Sequence, residues 1–88
     1  MKIKLFYFAR LKETLKYSTE DLDVPDDVAK TLTILKLKAY LAKRGDVWGQ
    51  MLMGKLKIRA AINHALVDDN APIADGDEVA FFPPVTGG

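Results

Sequence analysis

The strand-like run at the start of the chain, Ile3 to Phe8, is apolar on both alternating faces. Ile3, Leu5 and Tyr7 point one way, and Lys4, Phe6 and Phe8 the other. A strand that is wet on one side alternates apolar with polar. One that does not alternate is either covered on both faces or keeps one face for an interface. The last run before the tail, Glu78 to Phe82, divides in a related way, with Val79 and Phe81 facing one side and Ala80 and Phe82 the other.

The segments between these runs fill in an order. Ala9 to Lys16 reads as a loop or a short helical turn. Ser18 to Val24 reads as a second strand with Leu22 and Val24 inward and Asp21 and Asp23 outward. It is expected to pair with the first as a hairpin and to end at Pro25. Asp26 and Asp27 suit the start of a helix, where carboxylates meet free N–H groups and the positive end of the helix dipole. The spacing predicts one helix to about Arg44, stopped by Gly45. Val28, Leu32, Leu35, Ala39 and Ala42 make the predicted core stripe. Ile34, Leu37 and Leu41 make a second stripe, read either as covered by the Trp48–Met53 segment or as a contact surface. Val47 to Met53 reads as a short helix or folded loop over the main helix, its methionines serving as adaptable filler. Ile58 to Ile62 reads as a third strand, Asn63-His64-Ala65 as a turn, Leu66-Val67 as a short return and Asp75-Gly76-Asp77 as a tight turn. The order β-β-α-β-β, with a short extra helix, implies an α+β fold with one mixed sheet packed against one main helix. The expected domain is 1–82, with an extended tail at 83–88.

Composition narrows the function classes. The 88 residues carry 13 basic and 12 acidic side chains, a formal net charge of +1. That balance lacks the basic surplus of a general nucleic-acid binder. The cations at Lys30, Lys36, Lys38, Lys43 and Arg44 read as the solvated face of the helix. No apolar run approaches the ~20 residues of a membrane helix, and MKIKLFYF lacks a cleavage site, so no membrane association and a cytoplasmic location are expected. Cysteine is absent, which removes disulfides, thiolate metal sites and cysteine nucleophiles.

Chemistry-bearing side chains are sparse. His64 is the single histidine and reads as a polar turn residue. The carboxylates Asp68, Asp69, Asp75, Asp77 and Glu78 miss the spacing of a calcium loop, since Gly76 separates two of them, and turn chemistry accounts for them better. Ser18 is the single serine and has no nearby base. No P-loop, G-x-G-x-x-G or G-x-S-x-G motif occurs, and with one histidine, no cysteine and no calcium-loop spacing no metal site is expected.

The unusual chemical group is the terminus, FFPPVTGG. Pro83-Pro84 favour an extended polyproline-II path, and the β-branched Val85-Thr86 continue it. From Phe82 to the carboxylate of Gly88 the reach is ~20 Å when extended. Gly87-Gly88 are slim enough for a narrow channel and let catalytic groups of another protein approach the backbone. Such an arm delivers one group, the α-carboxylate of Gly88.

At this point the residues carry a resemblance. DGDEVAFFPPVTGG (75–88) looks like the C-terminus of the sulfur-carrier small subunits of molybdopterin synthase, KLFYFARLKE (4–13) resembles their first strand and turn, and INHALV (62–67) resembles their central hairpin. The resemblance implies a ubiquitin-like β-grasp fold. It implies that an ATP-dependent adenylating enzyme activates Gly88, that a sulfur donor converts the acyl-adenylate to a thiocarboxylate, and that the large catalytic subunit takes up the tail and transfers sulfur to a pyranopterin precursor. No permanently bound cofactor is implied; ATP is used by the activating partner, and two carriers would sit on a dimeric large subunit. Docking is expected on the apolar surface beside the tail, with Phe8 and Phe82 as anchors and Arg10 and Lys12 as rim contacts. Related carriers for thiamine or tRNA thiolation, a ubiquitin-like modifier and an inert β-grasp binding module share enough of these features to stand as alternatives.

Overall fold

The structure, a computed structural model, describes residues 1–84. Its elements in chain order are β1 (Lys2–Tyr7), α1 (Arg10–Leu15), β2 (Thr19–Asp23), α2 (Asp26–Ala29), α3 (Ile34–Ala42), α4 (Asp46–Met53), β3 (Arg59–Ile62), β4 (Ala65–Val67) and β5 (Glu78–Phe82). They form one five-stranded sheet in the order β2-β1-β5-β3-β4. The first and last strands run parallel and side by side near its centre, and the other pairings are antiparallel. The mixed α+β architecture expected from the order of elements is present.

One face of the sheet holds the core. Ile3, Leu5 and Tyr7 of β1, Val79 and Phe81 of β5, and Ala60 of β3 are buried against Leu11, Leu15, Val24, Leu32, Ile34, Leu37, Leu41, Leu52 and Ile58. Each fully buried aliphatic or aromatic side chain contributes about 1.5–3 kcal/mol. The α1 turn follows from two leucines at helical spacing, Leu11 and Leu15, which clip that helix onto the core.

The main helix differs from its sequence expectation. It breaks after Ala29, and a new helix starts at Ile34. Thr33 adopts an extended conformation and its hydroxyl accepts a hydrogen bond from the Lys36 amide, an N-cap worth about 1 kcal/mol. The free N–H groups of Ile34 and Leu35 donate to the carbonyls of Ala71 and Asp69. Before the break the expected stripe holds, with Leu32 buried and Val28 packed against the core; beyond it the two stripes exchange roles. Ile34, Leu37 and Leu41 face the core, whereas Leu35 is 43% exposed and Ala39 is exposed. A stripe counted from Val28 across the break loses its phase, because residues 30–33 do not advance the chain at helical pitch.

Lys38 also departs from the expected solvated face. It is 3% exposed. Its ammonium donates to the Ile58 carbonyl at 2.6 Å and the Asp69 carboxylate at 2.9 Å, so the buried charge is paired. Arg44, also assigned to that face, makes a two-pronged ion pair with Glu20 at 2.7 Å for both contacts. Glu20 accepts a further hydrogen bond from the Tyr7 hydroxyl. The Arg44 guanidinium lies over the Trp48 ring, 4.6 Å from its centroid, and Trp48 meets Tyr7 edge-on. The Trp48–Met53 segment is a helix that packs on α3, as its apolar residues suggested. Gly45 does not stop the main helix, which ends at Ala42 with Lys43 as its C-cap; it is the N-cap of α4. At the far end of α4, a Cβ on Gly54 would overlap the Gln50 carbonyl, which requires glycine there.

Candidate functional site

Among the described residues, the second face of the sheet carries no helix. Strand register decides what lies on it. One row crosses all five strands, because Thr19 opposes Phe6, Phe6 opposes Ala80, Ala80 opposes Ala61, and Ala61 opposes Leu66. One pleat toward the tail, Phe82 opposes Arg59. Phe8 continues the parallel ladder beside it, donating its N–H to the Phe81 carbonyl at 3.1 Å. One pleat the other way, Lys4 lies between Asp21 and Glu78, with its ammonium 5.7 Å from the Phe6 centroid.

Together these make a shallow apolar groove of about 310 Å³, walled by Phe6, Phe8, Ala80 and Phe82 and closed at its sides by Ala61, His64 and Glu78. Phe8 is 49% exposed and Leu66 is 60% exposed. An uncovered aromatic patch of this kind makes the groove a candidate interaction surface. Of the two alternatives that the alternation of β1 left open, the open face is the one realised. A larger recess of about 460 Å³ lies along β4, but its lining mixes Arg59, Asp68 and Asn70 with aliphatic side chains and holds no ring.

The turns around the groove explain the acidic residues. Asn63 and His64 both have positive φ, 49° and 72°, the pattern of a two-residue hairpin turn whose twist matches the strands. The Asn63 side chain accepts from the Glu78 amide and donates to Asp77. Asp77 also accepts from the Ala74 amide, Asp75 from the Lys2 amide and Asp68 from the Asn70 amide. These carboxylates hold turns. His64 is exposed in its turn, with Nε2 3.7 Å from a Glu78 oxygen.

The expected site residues fall as follows. Phe8 and Phe82 come together in the groove. Arg10 and Lys12 lie exposed on α1, directly after β1. Pro83 and Pro84 leave the end of β5 half-buried. Val85, Thr86, Gly87 and Gly88 lie outside the described residues. Sequence reasoning passed over Ala61, Leu66 and Arg59. The register of the β3–β4 hairpin, set by its two-residue turn, is what brings Leu66 onto the same face as Phe6.

Between Phe8, which points outward, and Leu11, which is fully buried, the chain reverses through Ala9. Its φ of 53° with ψ of −128° is a region that side-chain-bearing residues avoid. Such strain costs about 1–3 kcal/mol and concentrates at sites that bind. The Phe8 carbonyl accepts from the Leu11 amide and the Ala9 carbonyl from the Glu13 amide, so the surrounding structure holds the strained residue.

Two charged networks flank the core side. Burial alone would push the Glu20 carboxyl up, but hydrogen bonds from Arg44 and Tyr7 hold it below its ordinary range. Burial, reinforced by Glu20, pushes the Tyr7 hydroxyl far above its usual value, so it remains a donor. Neither group opens onto the groove. Among the described residues, no group of three or more potential metal ligands comes together, and no helix is long and apolar enough to cross a membrane.

Comparison with known proteins places this geometry. The chain is 41% identical over 86 residues to the molybdopterin synthase sulfur carrier subunit of Escherichia coli, covering 98% of this chain and 99% of that one. The crystal structure of SAMP1 from Haloferax volcanii superposes with a TM-score of 0.76 at 26% identity, over the whole of both chains. A complex of subunits 1 and 2 of the molybdopterin-converting factor from Helicobacter pylori contains a chain that superposes with a TM-score of 0.62 at 24% identity, again over both full chains. The architecture is the ubiquitin-like β-grasp. The family model described as the ThiS family matches residues 5–88, and the chain belongs to that family.

Proposed function

We propose that this chain is the sulfur carrier subunit of a molybdopterin synthase. The observation that carries the reading is its full-length likeness to the E. coli sulfur carrier subunit. The geometry supports it, because the uncovered aromatic groove lies where β5 gives way to the tail. In this reading the domain docks through the groove and the tail reaches a partner's active site. Phe8 and Phe82 anchor the contact, and Arg10 and Lys12 lie at its rim.

The chemistry needs no acid or base from the carrier. An oxygen of the Gly88 carboxylate attacks the α-phosphorus of ATP on an adenylating partner, and pyrophosphate leaves. A carboxylate is a poor electrophile, and the acyl-adenylate gives it a good leaving group. Sulfide delivered by a donor attacks the acyl carbon, AMP leaves, and a thiocarboxylate remains, which is anionic and nucleophilic at neutral pH. The large subunit then takes up Pro83 to Gly88, and the thiocarboxylate sulfur displaces an oxygen substituent from a carbon of the pyranopterin precursor. Hydrolysis of the remaining acyl bond returns the carboxylate, and two rounds complete the dithiolene. ATP is used on the activating partner, and the carrier holds no cofactor of its own. We place these steps in the cytoplasm.

The test is intact mass after incubation with ATP, a sulfur donor and the adenylating enzyme. The expected product has one oxygen replaced by sulfur, mapped to Gly88, and deletion of Gly88 abolishes it. An unchanged mass, with the enzyme shown competent on another carrier, overturns the reading in favour of a binding module. A thiocarboxylate that forms but does not support pterin thiolation points to thiamine or tRNA thiolation. Isopeptide linkage of Gly88 to lysines points to a modifier.

A further inference from the structure

Charged residues at the two ends of the sheet are used differently. At the end where β1 begins, carboxylates are engaged by the fold. Asp75 and Asp77 bind backbone amides, and Asp23 and Asp26 lie 3.7 and 3.8 Å from the Met1 ammonium. At the end where β5 finishes, the cations are differently placed. β5 lies between β1 and β3, so the chain leaving Phe82 passes between two cationic elements. On one side is α1, which touches β5 and carries Arg10 and Lys12. On the other is Arg59, the first residue of β3, in direct register with Phe82 on the open face. All three are exposed. Among the described residues none of them is in an ion pair. Nearby, Asp68 accepts a hydrogen bond from the Asn70 amide and Asp69 is paired with Lys38; Glu13 is the single carboxylate of α1.

We propose that Arg59, with Arg10 and Lys12, forms a cationic collar around the tail exit that docks against a carboxylate-lined channel mouth on the protein that takes up the tail. The collar rests on the carrier reading, since it requires such a protein. The apolar groove can hold the domain in place, but a featureless apolar contact does little to orient it. Unpaired cations on both sides of the tail exit supply that orientation, steer encounter and raise the association rate. Placed on both sides of β5, the collar turns the tail toward the channel before the groove closes on its partner. Arg59 is then a positioning residue, acting on the rate of docking and leaving the chemistry at Gly88 untouched.

The experiment is stopped-flow association of the full chain with the large subunit across a series of salt concentrations, for the wild type, Arg59→Glu, Arg59→Gln and Phe82→Ala. Charge reversal at Arg59 is expected to slow association by about tenfold at low salt, with the difference collapsing as salt screens it. Arg59→Gln, which removes only the charge, is expected to act in the same direction by about threefold, and it covers the case in which reversal disturbs β3. Phe82→Ala is expected to speed dissociation with the salt dependence unchanged. Wild-type association rates at both Arg59 variants, alongside weakened binding by Phe82→Ala, would sink the collar and leave the docking groove standing. Failure of the wild-type chain to bind the large subunit at all would remove the docking reading and the collar with it.

Discussion

The two faces of the sheet are built from the same kinds of residue and end in different surroundings. The chain has four phenylalanines, three of them on the adjacent strands β1 and β5 and the fourth, Phe8, one residue past the end of β1. Phe81 points inward and is fully buried. Phe6, Phe8 and Phe82 point the other way, into a groove with no helix above it. Inside, α1, α3 and α4 supply the second layer, and burial becomes stability. Outside, the same apolar area is left for a partner, and burial is deferred to docking. Hydrophobicity alone does not tell a core from an interface. Whether another element of the chain covers the face does.

The largest test of this contrast is at Phe81. Phe81→Ala should destabilise the fold by about 3–5 kcal/mol through lost burial and a cavity, read as a lower midpoint in urea. Its neighbour is the counterpart: Phe82→Ala should weaken docking to the large subunit by about 2 kcal/mol or more, measured by titration calorimetry, with the urea midpoint nearly unchanged. If both variants lose stability equally, the outer face is structural and the contrast fails.

A smaller effect sharpens the contrast at the edge of the inner face, where Glu20 sits. Its folded pKa is held below the ordinary value of 4.5, so the unfolded chain takes up protons first. Its contribution is therefore complete above about pH 4.5 and is lost as pH falls through the lower folded value. Glu20→Gln should flatten that acid limb of the stability–pH curve, measured by thermal melts. An unaltered acid limb would mean that the Arg44–Glu20–Tyr7 network contributes nothing through its charge. The smallest expected change is at Ala9. Ala9→Gly should raise stability by about 1 kcal/mol, since relief of φ strain exceeds the entropy cost of glycine. A fall in the urea midpoint would show that the Ala9 methyl stabilises more than its backbone geometry costs.

Much of the architecture could be read from local pattern. The alternation of Ile3, Leu5 and Tyr7, the leucines of α1, the turn residues at Asn63-His64 and at Asp75-Gly76-Asp77, and the outward pair Phe8 and Phe82 each depend on residues a few positions apart. The break in the main helix is not legible locally, because it depends on contacts that are distant in sequence. Thr33 starts a new helix where the 69–71 segment receives the free amides of Ile34 and Leu35. Lys38 looked solvated because its partners, Ile58 and Asp69, lie 20 and 31 residues away.

The sequence by itself determined the element types, the approximate strand limits, the apolar character of both faces of β1 and the family likeness of the tail, all of which arise from local propensity and short-range pattern. Tertiary structure alone decided where the main helix broke, which stripe of α3 became core, and that Leu66 would share the open face and Arg59 the tail exit. Those outcomes depend on strand order and register, where a shift of one residue would move every side chain of a strand to the opposite face.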